Sequence, residues 1–211
     1  MNKRILRSAI VAFFAAIICS SSFFRVPIPG IVSGIVIQNV LCVLTAVLLG
    51  GLWGAAPTTL FFVAGVLGLP VFSGGQGGFQ VLMNINGGFR IGWVFGALAA
   101  GLISGCPSVT EKKITLKNAV RLSVAVLVGM VVLYIPEIFY VIGYKASEIG
   151  VVGALKLFVT AFFAPFLLVD FLKAVVAILI SLKLRPVVAM YFYDSEVAPE
   201  TVSGENPVDQ D

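Results

Sequence analysis

Pro165-Phe166-Leu167-Leu168-Val169-Asp170-Phe171-Leu172-Lys173-Ala174-Val175-Val176-Ala177-Ile178-Leu179-Ile180-Ser181-Leu182-Lys183-Leu184 reads as one helix of membrane length that carries two charges in its outer half. About 20 residues at ~1.5 Å rise span about 30 Å, the thickness of a bilayer core. Pro165 suits the first turn, where a missing N–H costs nothing. Asp170 and Lys173 are the only charged residues between Lys156 and Lys183. Each costs roughly 2.5–3.5 kcal/mol at mid-membrane on insertion scales, so such a pair points to function. At i and i+3 they lie about 60° apart around the helix and about 4.5 Å apart along it, within joint reach of one small polar molecule. A helix starting at Pro165 puts them about 8–12 Å below its mouth. The alternative is an ion pair that satisfies itself between helices.

The rest of the chain agrees with a bilayer setting. Of 211 residues 59% are apolar and 11% charged, against about 25% charged in soluble domains. No Asp, Glu, Lys or Arg occurs from Val26 to Phe89 or from Ile91 to Thr110. The net charge of +4 does not imply nucleic acid, because the basic residues cluster at segment ends without an aromatic-interleaved basic face. Cys19, Cys42 and Cys106 have no paired spacing, so neither a disulfide frame nor a metal site is expected. The chain has no His, which removes the commonest general base and metal ligand. Basic Lys3, Arg4 and Arg7 before an apolar run mimic a signal peptide, yet no small-x-small cleavage site with a polar domain follows. The run is read as a retained first helix.

Six hydrophobic segments are expected, at about Ser8 to Phe24, Val32 to Leu49, Leu52 to Gly68, Gly88 to Ser104, Asn118 to Ile142 and Pro165 to Leu184. The fold class is therefore an all-α integral membrane protein of six transmembrane helices, with a glycine-rich outward loop between the third and fourth. Residues 1–192 form the membrane domain. Tyr193 to Asp211, acidic and rich in Pro, Gly and Ser, is expected to be a disordered cytoplasmic tail. Lys3, Arg4, Arg7, Lys112, Lys113, Lys117, Arg121, Lys183 and Arg185 fall on the side of the termini, against Arg25, Arg90, Lys145 and Lys156 opposite. The positive-inside rule then makes both termini cytoplasmic.

The loop from Leu69 to Gly87 holds Gly74, Gly75, Gly77, Gly78 and Gly87 without a single charge. Such backbone bends sharply or approaches something closely, as in a lid or re-entrant segment; the alternative is a surface loop. It carries no Lys-Ser or Lys-Thr after its glycines, and no Walker A motif occurs anywhere, so this chain does not itself hydrolyse ATP. No nucleophile with an adjacent base stands out, which argues against an enzyme. Between Lys145 and the last segment, Leu157 to Ala164 is apolar but too short to span. Ser8, Ala12 and Ala16 put a small residue at every fourth position of the first helix, a face that another helix can approach closely in lipid. Glu137 reads as interfacial; the alternative is a role in the pocket. Arg90 either snorkels to outer headgroups or attracts an anion to the mouth.

Gly68-Leu69-Pro70-Val71-Phe72-Ser73-Gly74-Gly75-Gln76-Gly77-Gly78 and Asn86-Gly87-Gly88-Phe89-Arg90-Ile91-Gly92 resemble the long third loop of the BioY family, the biotin-binding S components of energy-coupling factor (ECF) transporters. Val26-Pro27-Ile28-Pro29, Ile35-Val36-Ile37-Gln38 and Pro165-Phe166-x-x-x-Asp170-x-x-Lys173-Ala174 extend the likeness over about residues 8 to 185. It implies a six-helix subunit of the cytoplasmic (inner) membrane that captures biotin from outside. Its implied partners are a transmembrane coupling protein and two ATP-binding cassette ATPases. It implies no cofactor, biotin being the transported ligand. The family's aspartate, lysine and asparagine that hold the biotin head correspond to Asp170, Lys173 and either Asn84 or Asn86. Gln38, Phe72, Ser73, Gly75, Gly78 and Phe79 complete the expected site, and Ala12 and Ala16 form the expected docking face for the coupling protein. Where the family shows Gly-Pro-Thr-Gly-Gly-Tyr, this chain has Asn84-Ile85-Asn86-Gly87-Gly88-Phe89, a rim without that proline and phenol.

The chemistry of such a pocket is consistent. A ureido ring offers two N–H donors and a carbonyl, so a buried carboxylate accepts from it while an ammonium or amide donates to it. The compact bicyclic head suits an apolar cleft. The alternatives are an S component for another small vitamin and a small integral membrane enzyme.

Overall fold

The computed structural model describes residues 3–26, 34–108 and 115–193. Among these, seven α-helices make the fold all-α. They are α1 (Lys3–Ser20), α2 (Gln38–Leu49), α3 (Ala56–Val66), α4 (Gly87–Ser104), α5 (Leu116–Val132), α6 (Ile135–Leu157) and α7 (Leu167–Phe192). Strands β1 (Arg25–Val26) and β2 (Ile35–Val36) pair antiparallel between α1 and α2. The runs Arg4–Phe23, Gly87–Ser104 and Leu116–Phe192 are long and apolar enough to cross a membrane; Gln38–Leu49 and Leu52–Val66 are shorter apolar helices. Val43, Val47, Phe61, Trp93, Ala97, Ala125, Leu133, Ala174 and Ala177 form the centre of the main core.

Several features depart from the sequence reading. The expected fifth segment breaks at Leu133 and Tyr134 into α5 and α6. Pro136 has no N–H to give the carbonyl of Val132, so the helical ladder slackens one turn earlier. The connection from Lys145 to Ala164 is helical on both sides of Gly150. At Gly150 φ is +72°, a left-handed conformation that glycine adopts without strain. There the chain doubles back, and Val141 on one arm packs with Ala154, Phe158 and Phe162 on the other. A π-helical stretch, Phe158–Phe163, and a 3-10 turn, Ala164–Phe166, then lead into α7.

A stripe of small residues brings α4 against α5. A Cβ on Gly92 would stand 2.0 Å from the Leu133 carbonyl oxygen, and one on Gly96 would stand 2.6 Å from that of Gly129. Only glycine permits this approach, which sets where the break after α5 lies against α4.

The last helix also runs further than expected, through Pro186 to Phe192. Arg185, assigned from sequence to the set of membrane-end cations, is buried. Its Nη1 donates to the Val47 carbonyl at 3.0 Å, and its Nη2 donates to the carbonyls of Ser104 and Gly105, each at 2.6 Å. These are C-terminal carbonyls of α2 and α4 that have no partner within their own helices, and a cation is favourable there. At the same end the Tyr193 hydroxyl donates to the Leu49 carbonyl, and Arg7 lies over the rings of Phe192 and Tyr193. Pro27 to Pro29, Lys112, Lys113 and the tail beyond Tyr193 lie outside the described residues.

The glycine-rich connection is a compact structure. Phe72 and Gln76 exchange backbone hydrogen bonds, Gly74 N donates to Ser22 O, and Gly78 N donates to Gly65 O. A 3-10 turn at Phe79–Met83 completes it. The loop is thereby tied to the ends of α1 and α3.

Candidate functional site

The break in α5–α6, the first turns of α4 and α7, the β2 segment and the glycine-rich loop meet at the end of the molecule opposite Arg185. Between them lies a cavity of about 150 Å³. Asp170 and Lys173 both border it. Lys173 Nζ donates to Asp170 Oδ1 at 2.9 Å, to Val36 O at 2.8 Å and to Asn39 Oδ1 at 3.4 Å. That uses all the protons an ammonium has. Asp170 Oδ1 also accepts from Asn39 Nδ2 at 3.3 Å, and Oδ2 accepts from the Tyr134 hydroxyl. A carboxylate has about four lone-pair sites, so acceptor capacity remains beside the cavity. The pair is therefore engaged with itself and still borders open space. Its burial is offset because every charge has hydrogen-bonded partners.

The opposite wall belongs to α4 and the loop. Arg90, 8% exposed, donates from Nη2 to Gln76 Oε1 at 2.7 Å and from Nη1 to Asn86 O at 3.0 Å, with its guanidinium 5.6 Å from the centre of the Phe72 ring. It faces the cavity, not the outer headgroups. Phe89, Trp93, Phe162 and Phe166 supply apolar lining. The site is thus an aromatic-lined space with a carboxylate–ammonium pair on one side and a guanidinium on the other. Such a site holds a compact molecule through a few convergent polar groups. Among the described residues no cluster of three His, Cys, Asp or Glu could hold a metal.

Of the residues expected from sequence, Asp170, Lys173, Asn84, Asn86 and Ser73 line this cavity. Five others lie elsewhere. Phe72 is fully buried and packs against Phe61 at 5.4 Å between ring centres, so the core takes its ring. Gln38 is also fully buried, and its Nε2 donates to Ile18 O and Val71 O, bracing α1 to the loop. Gly75 is exposed, Gly78 spends its N–H on Gly65 O, and Phe79 points outward with 56% of its surface exposed. Ala12 and Ala16 are both exposed on α1, one turn apart.

Asn39 and Tyr134 hold Asp170 but were not singled out from sequence. Adjacent helical residues point about 100° apart, so a polar Gln38-Asn39 pair in an apolar helix carries one side chain to each of two neighbours. Tyr134 belongs to an apolar run, and its role depends on the break before Pro136. Glu137, read as interfacial, is fully buried. Its Oε2 accepts from Phe89 N at 2.9 Å.

Known proteins agree with this architecture. A crystal structure of the S-component for biotin from an ECF-type ABC transporter superposes with a TM-score of 0.70 at 26% identity, covering 90% of this chain and 97% of that one. The biotin transporter BioY of Thermotoga maritima is 29% identical over 177 residues, 82% of this chain and 91% of its own. The biotin transporter BioY of Rhizobium etli is 33% identical over 178 residues, 81% of this chain and 88% of its own. The chain is an integral membrane protein, and because the BioY family model matches residues 1–190, it belongs to the BioY family.

Proposed function

We propose that this chain is the membrane-embedded subunit that binds biotin for uptake, and that it has no enzymatic activity of its own. The observation that carries the reading is the cavity beside Asp170. There a buried carboxylate oriented by Asn39, Lys173 and Tyr134 keeps acceptor capacity for a ureido N–H group. Lys173 reaches the ligand's carbonyl by exchanging one of its three bonds; Asn84 and Asn86 line the same cavity as further donors. Arg90 on the α4 wall supplies a countercharge for the valerate carboxylate, so that this second anion is not buried unpaired. The names and coverage of the relatives from Thermotoga maritima and Rhizobium etli and of the solved biotin S-component support the same ligand.

In this reading the chain crosses the cytoplasmic membrane six times, with α5–α6 and the run into α7 as the last two passes and Gly150 at their outer tip. The 1–192 membrane domain precedes a cytoplasmic tail from 193 to 211. Arg4, Arg7, Lys117, Arg121 and Lys183 at the end away from the cavity support cytoplasmic termini. Ala12 and Ala16 form the face for a transmembrane coupling protein that works with two ATP-binding cassette ATPases, since small residues let helices approach closely in lipid.

Titration of the purified protein with biotin and a panel of other small vitamins tests the reading. Saturable binding of biotin alone is expected; preference for another vitamin replaces the ligand, and chemical alteration of biotin in a mass spectrum makes the chain an enzyme.

A further inference from the structure

Glu137 touches no part of the cavity, yet it joins two of the cavity's walls. On α4, Asn86 precedes the first helical residue, and the N–H groups of the opening turn have no acceptor within the helix. The Asn86 side chain makes no capping bond to that turn. Glu137 Oε2 instead accepts from Phe89 N at 2.9 Å, so the cap of α4 comes from the first turn of α6. A carboxylate at a helix N-terminus is favourable, and this one stands at two such ends together. Its other oxygen, Oε1, accepts no hydrogen bond among the described residues. The contact is close because residue 88 is glycine: a Cβ there would stand 2.6 Å from Glu137 Cα and 2.7 Å from Pro136 O.

Both elements joined by this bond carry ligand-facing groups. One turn before Glu137, Tyr134 lines the cavity and donates to Asp170. Phe89, whose N–H is capped, lines it too and meets the Tyr134 ring edge to face at 5.3 Å. Displacement of the α6 base from α4 would therefore move Tyr134 relative to Phe89 and turn its hydroxyl away from Asp170.

We propose that Glu137 is a positioning residue of the ligand site, a cap donated from α6 to α4 that sets the spacing of Tyr134 and Phe89 and through it the orientation of Asp170. This rests on the reading of the cavity as a biotin site. The experiment compares Glu137→Leu, Glu137→Gln and Gly88→Ala with the parent protein in detergent. Biotin titration follows ligand affinity, and hydrogen exchange of the segment around Phe89 without biotin follows the cap. Loss of one buried hydrogen bond predicts up to about tenfold weaker biotin binding and faster exchange at Phe89 in Glu137→Leu. Glu137→Gln, whose amide oxygen still accepts, stays within about threefold of the parent. Gly88→Ala, which pushes α6 away with Glu137 intact, loses affinity as Glu137→Leu does.

Parent-like affinity in Glu137→Leu, or equal losses in the Leu and Gln variants, overturns the proposal. If Glu137→Leu does not fold, Gly88→Ala decides: parent-like binding there overturns it. If the parent fails to bind biotin, the biotin reading falls, and unchanged exchange at Phe89 in Glu137→Leu or Gly88→Ala then sinks the cap as well.

Discussion

The Tyr134 hydroxyl donates to Oδ2 of Asp170 from the break between two helices, while Asn39 and Lys173 occupy Oδ1 from the other side. The carboxylate is thus held on both oxygens before a ligand contributes anything, and preorganisation of this kind lowers the ordering cost of binding. Tyr134→Phe removes one hydrogen bond to a charged group, worth about 1.5–3 kcal/mol. Biotin affinity should fall by about tenfold or more in calorimetry. Affinity equal to the parent would mean that Asp170 needs no support from α5–α6.

Asp170→Asn keeps shape and one acceptor but removes the charge that balances Lys173. Asp170→Ala removes the partner outright, and loss of one member of a buried charged pair costs about 2–5 kcal/mol. Biotin binding should weaken by at least about thirtyfold in Asp170→Ala and by less in Asp170→Asn, with both still recovered in the membrane fraction. A radiolabelled-biotin titration checks the order, and an unchanged constant in either variant contradicts the central role of the carboxylate.

Arg185 lies about 15 residues, roughly 22 Å along α7, from Asp170. Its guanidinium closes the C-terminal carbonyls of α2 and α4, and Arg185→Leu leaves those carbonyls without that donor. A loss of about 3 kcal/mol corresponds to a fall on the order of 5–10 °C in the midpoint of thermal unfolding. Biotin affinity measured below that midpoint should stay within about threefold of the parent, because sites so far apart without shared partners act independently.

Ala12 and Ala16 project from α1 on the side away from the core. Replacing both by Leu should leave biotin binding by the isolated subunit unchanged and should abolish uptake by the assembled transporter, since bulky side chains hold a partner helix off. A parallel collapse of binding and uptake would show that these residues pack within the subunit.

The sequence by itself determined the environment and the chemistry of the ends: long uncharged runs admit only a membrane, and an acid and an amine one turn apart within such a run have to be paired and used. Asp170, Lys173, Ser73, Asn84 and Asn86 were legible because a polar or glycine-rich residue in an apolar chain is an exception that needs a reason. Tyr134, Asn39 and Glu137 were not, since an apolar-flanked Tyr, one of two adjacent amides and a Glu beside a proline are each ordinary in sequence. Their roles arise from a helix break that Pro136 permits, from the 100° step between neighbours on α2, and from a glycine at 88 that admits another backbone. Gln38 and Phe72 show the converse, plausible ligand contacts whose side chains the packing had already claimed. Which face a residue presents, and to what, is decided by how helices cross, and in a bilayer that is set by close packing and buried hydrogen bonds, neither of which a linear pattern of polarity encodes.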